Sequence, residues 1–236
     1  MARVTETPLI HIKGLRKHFG ALRPLRLNAL SLMPGERLIL RGLDEPAAEM
    51  LAHLVTGASV PDEGLVCIAG RDTREIATDT EWLTSLDLFG MVTNRAVLLD
   101  SLPIEANLAL PFTLSIDPLS PDIRDAVVAL AEEVGLTVAL VHPVSGLSGL
   151  DLARVHLARA LAPNPKVLVL EHPTAKLAPG DASALGRLLS VIGERRGLAW
   201  LALTEDEAFI KALGGRRCRV VPASGDVKDD RRWRIW

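Results

Sequence analysis

The 236-residue chain lacks tyrosine, and its phenylalanines and tryptophans bring aromatic residues to only 3%. A surface of aromatic rings that stacks on single-stranded nucleic acid is therefore not expected. Neither sign of charge dominates, because 27 basic and 29 acidic residues leave a formal net charge of −2. Proteins that bind nucleic acids usually carry a basic excess, so we expect no nucleic-acid partner.

Cysteine and long apolar runs are scarce as well. Cys67 and Cys218 form neither a disulfide framework nor a CxxC pair, which fits a reducing compartment, and Cys67 lies in a predicted strand where packing is the expected role. No uninterrupted run of about 18 apolar residues is present, and residues 1–8 lack the apolar core of a signal peptide. The six histidines show no paired metal-ligand spacing, so no metal site is expected from them. These features predict a cytoplasmic protein that reaches a membrane only through a partner.

The hydrophobic pattern predicts an α/β domain. Residues 166–170 and 198–203 are continuous apolar runs, typical of strands buried on both faces of a parallel sheet. Helical patterns at 148–161, 181–195 and 205–213 alternate with these strands. The first part of the chain predicts short strands at 9–12, 25–32, 37–40 and 64–69, and helices at 47–56 and 82–86. Residues 104–140 read as helices divided by prolines, with 122–134 as the clearest. We therefore predict one domain over 1–236 with a helical insert at about 94–144.

Six segments follow one another in an order typical of one known family. They are Phe19-Gly20, residues 34–42, residues 107–111, residues 145–149 with 153–161, residues 166–174 and residues 201–206. In this order the chain resembles the nucleotide-binding domain of ABC transporters over about residues 9–221. The segments resemble its adenine-stacking aromatic, the strand into its phosphate loop, the start of its helical insert, its signature helix, its Walker B strand and the strand before its switch histidine. The resemblance implies a P-loop NTPase-like cassette with a mostly parallel core sheet, an N-terminal antiparallel β subdomain and an inserted helical subdomain.

The residues at the phosphate loop differ from the family pattern. Such a loop surrounds phosphates with backbone N–H groups, neutralises them with a lysine and holds Mg²⁺ through a hydroxyl. Gly42 matches the family pattern, but the resemblance places Ala48 at the position of the lysine and Glu49 at the position of the hydroxyl residue. Asp44, Glu45 and Glu49 would then lie beside a triphosphate. One like-charge pair about 4 Å apart costs roughly 4 kcal/mol at an effective dielectric near 20, against about 8 kcal/mol for a whole micromolar ligand. We therefore expect ATP and Mg²⁺ binding to be weakened.

The other family positions are altered too. The resemblance places Asn94 at the glutamine of the glutamine loop, Glu171 at the Walker B aspartate, His172 at the catalytic glutamate and Glu205 at the switch histidine. The signature keeps Ser148 and Gly149, followed by Leu150 and Asp151 in place of glycine and glutamine. Phe19 is left as the candidate to stack on adenine, although a core contact near a strand edge explains it equally well.

The C-terminal segment at 216–236 is predicted to hold a strand and a basic tail. It contains seven basic residues against three aspartates, and two of the chain's four tryptophans, Trp233 and Trp236. Arginine and tryptophan are enriched at binding interfaces, which favours a docking or lid segment. A solvated tail is the competing interpretation.

The resemblance implies an ABC-transporter ATP-binding subunit that docks on a membrane permease through its insert. It also implies a homodimer, or a heterodimer with a competent ATPase subunit, at the inner face of the membrane. With the replacements above we predict a pseudo-ATPase, with no confident metal ligand. Two alternatives stay open: a divergent but active ATPase that uses Glu171, His172 and Glu205, and a scaffold or regulator that needs no nucleotide.

Overall fold

A computed structural model describes residues 6–93 and 95–230, and the strands of these residues form two sheets. In chain order the strands are β1 (Ile10–Lys17), β2 (Leu25–Leu32), β3 (Arg37–Arg41), β4 (Glu63–Ile68), β5 (Arg71–Asp72), β6 (Phe89–Thr93), β7 (Val167–Glu171), β8 (Ala199–Leu203), β9 (Arg216–Val221) and β10 (Asp226–Asp229). The smaller sheet is antiparallel, with the order β2-β1-β4-β5. Its sequence signal is alternation, because Ile10 and Ile12 of β1 are buried while His11 between them is half-exposed.

The larger sheet has the order β10-β9-β3-β8-β7-β6, and all neighbours except β10 and β9 run parallel. Every residue of β7 and β8 is buried, as their continuous apolar sequences predict. The predicted mostly parallel core sheet and antiparallel N-terminal sheet are thus confirmed. Because parallel strands end at a common edge, Arg41, Thr93 and Glu171 emerge on the same side of the sheet.

The described residues form seven α-helices, four of which begin at a residue whose side chain caps the helix. They are α1 (Glu45–Val55), α2 (Asp79–Leu86), α3 (Ile104–Ala109), α4 (Pro121–Glu133), α5 (Gly149–Leu161), α6 (Asp181–Arg196) and α7 (Glu207–Leu213), with a 3-10 turn at Thr73–Glu75. Asp44, Ser148 and Asp206 each accept a hydrogen bond from the backbone N–H three residues later. None of the helices in the described part of the chain has the length and apolar content needed to cross a bilayer.

The region from 104 to 140 is less helical than its sequence predicts. Helical structure is limited there to α3 and α4, and the chain between them and after α4 is irregular. Pro111 and Pro118 interrupt the apolar pattern, and neither can donate the backbone hydrogen bond that a helix interior requires. Apolar spacing alone therefore overestimated the helix.

Two hydrophobic clusters cover the two faces of the larger sheet. On β7, Val167 and Val169 point to the cluster that contains α1 and the smaller sheet. Leu168 and Leu170 point to the cluster that contains α3 to α7. The carboxyl edge of the sheet, where the candidate site lies, is thereby fixed by packing on both sides.

Candidate functional site

The turn between β3 and α1 is the predicted phosphate loop. Gly42 has a φ of +84°, and an added Cβ would lie 2.4 Å from the carbonyl oxygen of Val220, so the backbone here requires glycine. Asp44 caps α1, with Oδ1 accepting a hydrogen bond from the N–H of Ala47 at 3.0 Å. Pro46 lies in the first turn, where a missing N–H does not interrupt the helix. One amide of the helix N-terminus is therefore already satisfied by a carboxylate of the chain.

Ala48 and Glu49 point in different directions from the start of α1. Ala48 is fully buried and packs in the cluster between the two sheets. Glu49 faces outward with 41% of its side chain exposed and forms an ion pair with Arg95. Residues 45–55 contain neither lysine nor arginine, so α1 brings no cationic side chain to the loop, apart from any charge on His53.

Glu205 lies at the base of the same loop. Its Oε1 accepts a hydrogen bond from the N–H of Gly42 at 2.6 Å, and its Oε2 accepts from Arg41 Nε at 2.9 Å and Arg219 Nη2 at 3.2 Å. Partial burial raises the pKa of Glu205, but the hydrogen bonds from Gly42 and Arg41 together with the positive charges of Arg41 and Arg219 outweigh it, so this pKa lies below its ordinary value. The predicted helix start at 205 was two residues early, and Glu205 instead binds the loop.

Glu171 ends β7 and is the buried carboxylate of the site, with 2% of its side chain exposed. Arg95, in the chain just after β6, donates to Glu171 Oε2 from Nη2 at 2.6 Å. The same guanidinium contacts Glu49 through Nη1. Arg95 therefore joins two of the predicted site residues, Glu49 and Glu171, although sequence reasoning did not select it. The available signal was a basic residue directly after a strand that ends at the same sheet edge.

This arrangement changes the charge argument made from the sequence. From the sequence alone, the carboxylates near the loop are expected to be negative charges without positively charged or hydrogen-bonding partners. In the structure, Asp44 accepts a hydrogen bond from a helix amide and Glu49 is paired with Arg95. Electrostatic repulsion of a phosphate is smaller than that estimate, because internal partners offset part of the charge.

The family implies Mg²⁺ at this edge of the sheet, and the residues present do not fit it. The family resemblance places Glu49 at the magnesium hydroxyl, and Glu49 and Glu171 both contact the guanidinium of Arg95. Among residues 6–93 and 95–230, no group of three or more His, Cys, Asp or Glu side chains is arranged to hold a metal ion. Mg²⁺ is commonly held by one or two carboxylates with water and phosphate, so the misfit lies in the positive charge of Arg95 between the two carboxylates and not in their number.

His172 follows Glu171 and has a strained backbone. Its φ is +43°, in the left-handed region that costs a non-glycine residue about 1 kcal/mol or more. Its N–H donates to the carbonyl of Leu203 at 3.0 Å, which fixes the turn after β7. The ring Nε2 is buried and has no hydrogen-bond partner. Among the described residues, Nε2 of His172 thus has no hydrogen-bonded partner that would orient the ring as a base.

Phe19 lines a cavity on the other side of the loop. The cavity has a volume of about 520 Å³, and its walls include Phe19, Leu22, Arg26, Leu43 and Pro222. Phe19 is half-buried and packs against the cluster between the sheets. The ring therefore makes the core contact that the sequence offered as one interpretation. It also lines the cavity beside the loop, so stacking on adenine stays a prediction.

Ser148 and Gly149 begin α5, on the side of a second cavity of about 340 Å³ whose walls include Gly149, Arg95 and Lys176. The Ser148 hydroxyl accepts from the N–H of Asp151 at 3.1 Å and donates to Asp151 Oδ2 at 2.7 Å. Asp151 also pairs with Arg154 at 2.8 Å. The signature serine is thus engaged with a carboxylate within its own helix turn. Asn94 and the tail with Trp233 and Trp236 lie outside the described residues.

Comparison with known proteins connects this fold and site to one family. The ABC transporter family pattern matches residues 29–175, more than half of the chain. The methionine import ATP-binding protein MetN of Brucella abortus is 31% identical over 212 residues, which are 90% of this chain and 57% of MetN. The lipoprotein-releasing system ATP-binding protein LolD of Pseudomonas syringae is 29% identical over 184 residues, which are 78% of this chain and 81% of LolD. The chain thus spans only 57% of the length of MetN.

Solved structures show the same fold. The dimeric ATP-binding cassette MJ0796 in its state with ADP and Pi aligns with a TM-score of 0.75 at 22% identity, over 94% of this chain and 99% of that one. The cbiO1 protein of Clostridium perfringens aligns with a TM-score of 0.77 at 19% identity, over 94% of this chain and 87% of that one. At such identities the likeness establishes the fold alone. Together with the family match and the relatives of similar sequence, it leads to one conclusion: the chain belongs to the ABC transporter ATP-binding family.

Proposed function

We propose that the chain is a pseudo-ATPase subunit of an ABC transporter, with weak or no ATP hydrolysis. The observation that carries this proposal is the bond from the Gly42 N–H to the carboxylate of Glu205, at 2.6 Å. An anionic side chain of the protein lies at the loop where the family binds phosphate. Ala48, buried at the position assigned to the lysine, offers no opposing charge. A phosphate of ATP would have to displace this carboxylate from the Gly42 amide, and the two arginines beside it, Arg41 and Arg219, are already bound to Glu205.

A membrane permease is the proposed partner. The relatives' names describe ATP-binding proteins of methionine import and lipoprotein release, which are transport systems. The region proposed as the helical insert, about 94–144, exposes large apolar side chains. Leu114 is 90% exposed, Val97 73% and Val141 68%. Exposed apolar side chains gathered in one region are typical of protein contact surfaces, so the insert is the proposed docking region, and it would hold the chain at the inner membrane face.

Pairing with a second cassette is proposed as well. The related cassette MJ0796 is described as dimeric, and a helix N-terminus such as that of α5 is suited to an anion presented by a partner. The bond between Ser148 and Asp151 places a negative charge at that same end. In a heterodimer with a competent ATPase, the substitution Asp151→Gln is therefore expected to strengthen ATP binding at the shared site.

Binding and turnover of ATP by the purified full chain test the pseudo-ATPase proposal directly. With Mg²⁺ and ATP we expect affinity weaker than micromolar and no phosphate release above the buffer rate. The variant Glu205→Ala removes the carboxylate from the Gly42 amide and leaves Arg41 paired with Glu207 and Asp230, so the affinity for ATP is expected to rise because the amide becomes available to a phosphate. Glu207→Ala is the matched control, because Glu207 also pairs with Arg41, at 2.7 Å, without bonding the loop amide. Micromolar affinity with robust turnover by the unmodified chain would refute the proposal.

The two alternatives have separate signatures. A divergent active ATPase that uses Glu171, His172 and Glu205 predicts turnover that disappears in His172→Ala. A scaffold that binds no nucleotide predicts a melting temperature that ATP leaves unchanged even at millimolar concentration. Against the first alternative stands Nε2 of His172, which is buried without a hydrogen-bond partner among the described residues.

A further inference from the structure

The Arg95 guanidinium lies where three separate segments meet. Glu49 comes from the second turn of α1, Glu171 from the end of β7, and Arg95 from the chain after β6. The pairing of Thr93 with Glu171 in adjacent parallel strands brings the start of that chain beside the carboxylate. The register of β6 and β7 therefore brings Arg95 close to Glu171.

From this geometry we infer that Arg95 is the resident cation of the site and occupies the place between Glu49 and Glu171 that a divalent ion would need. One arm of the guanidinium contacts each carboxylate. The planar guanidinium is suited to such bridging because it presents several N–H donors in a fixed plane and stays protonated at any physiological pH. The chain accordingly binds no divalent cation at this position.

The burial of Glu171 makes its guanidinium partner difficult to displace. The side chain of Glu171 is only 2% exposed, and a carboxylate removed from water needs a positive partner or hydrogen-bond donors. A divalent ion that entered beside Arg95 would meet its positive charge, and one that replaced it would have to displace the guanidinium from both Glu49 and Glu171. Because Mg²⁺ gives up its water shell reluctantly, neither route is favourable.

As a consequence, Arg95 holds Glu49 and Glu171 together without a metal ion or a nucleotide. Arg95 links α1, β7 and the chain leading into the proposed insert, three segments on which the family's ligands would otherwise act. This inference deepens the proposed pseudo-ATPase function, because a cassette with its own cation has no use for Mg²⁺. Its test is made without ATP, so it can fail while the absence of hydrolysis stands.

Mn²⁺ titrated into the nucleotide-free full chain tests the resident cation, with bound ion read by electron paramagnetic resonance. The unmodified chain is expected to show no saturable Mn²⁺ site that depends on Glu171. In Arg95→Ala the affinity for Mn²⁺ is expected to rise roughly tenfold or more, because a positive charge beside two carboxylates has been removed. The double variant Arg95→Ala with Glu171→Gln is expected to lose that gain.

Two further variants separate the loss of the cation from other effects. Arg95→Lys keeps a positive charge and is expected to bind Mn²⁺ as weakly as the unmodified chain. Arg16→Ala removes the arginine of an exposed ion pair with Glu63 and is expected to gain no site. Circular dichroism establishes that each variant is folded, and Arg95→Gln replaces Arg95→Ala if the latter is not.

Two results would overturn the inference. The first is a Mn²⁺ site in the unmodified chain that disappears in Glu171→Gln, because the position would then accept a divalent ion despite Arg95. The second is a folded Arg95→Ala or Arg95→Gln variant that binds Mn²⁺ no better than the unmodified chain. Turnover of ATP with Mg²⁺, by contrast, would refute the pseudo-ATPase proposal and not by itself locate the metal.

Discussion

Removing the charge of Arg95 should destabilise the fold through Glu171. The perturbation is Arg95→Met, which keeps much of the side-chain length and deletes the guanidinium 2.6 Å from a carboxylate that is 2% exposed. Two unit charges about 4 Å apart interact by roughly 4 kcal/mol at an effective dielectric near 20. Because 39% of Arg95 is exposed, water screens part of this energy. We therefore expect the free energy of unfolding to fall by about 2–3 kcal/mol.

A double-mutant cycle isolates the pair from the loss of packing. Glu171→Gln removes the unpaired charge, so adding it to Arg95→Met should restore part of the lost stability. The expected coupling energy is about 2 kcal/mol, measured by urea unfolding followed by circular dichroism. The control cycle uses Arg16→Met and Glu63→Gln, an exposed pair at 3.3 Å whose coupling should be below about 1 kcal/mol. Equal coupling in both cycles would refute the claim that burial makes the Arg95 contact special.

Three other measurements follow from the described structure. The lowered pKa of Glu205 means that its carboxylate stabilises the fold above the ordinary glutamate value of 4.5 and that this contribution is lost as pH falls toward the lower pKa of the folded state. Glu205→Gln should therefore flatten the acid limb of a plot of melting temperature against pH, and parallel limbs would contradict this. Gly193→Ala would place a Cβ 2.1 Å from Trp200 Cζ3, so unfolding should become easier by about 1–3 kcal/mol, and an unchanged melting temperature would show that the ring can move. Burial raises the pKa of the Cys67 and Cys218 thiols, so both should react with a disulfide reagent slowly in the native protein and rapidly in urea, whereas fast native labelling would contradict their burial.

The sheets were predictable from the sequence because their signals are local. Residues 167–170 and 199–203 are apolar throughout, a pattern typical of strands buried on both faces of a parallel sheet. The two-residue strand β5 was missed because Arg71 and Asp72 carry no hydrophobic pattern and are held by pairing with β4. Proline limited the helices between 104 and 140, where apolar spacing suggested more.

For the candidate site, the sequence allowed positions to be predicted but not the contacts between them. A family resemblance assigned Glu49, Glu171 and Glu205 to their places, since motif spacing carries that information. Arg95 was missed because its partners lie 46 and 76 residues away, and no local pattern links an arginine to carboxylates at such separations. The hydrogen bond from the Gly42 N–H to Glu205 joins residues 163 positions apart in the sequence, so it could not be predicted for the same reason.

These long-range contacts bear on how the proposed loss of catalysis can coexist with a stable fold. A buried carboxylate left without a partner costs several kcal/mol, which is a large part of the stability of a typical domain. Here Glu171 has Arg95, and Glu205 has the Gly42 amide together with Arg41. Both carboxylates therefore have partners within the chain. Replacing Glu171 or Glu205 alone would break an internal contact, so under the proposed pseudo-ATPase function we expect neither single replacement to produce magnesium-dependent turnover.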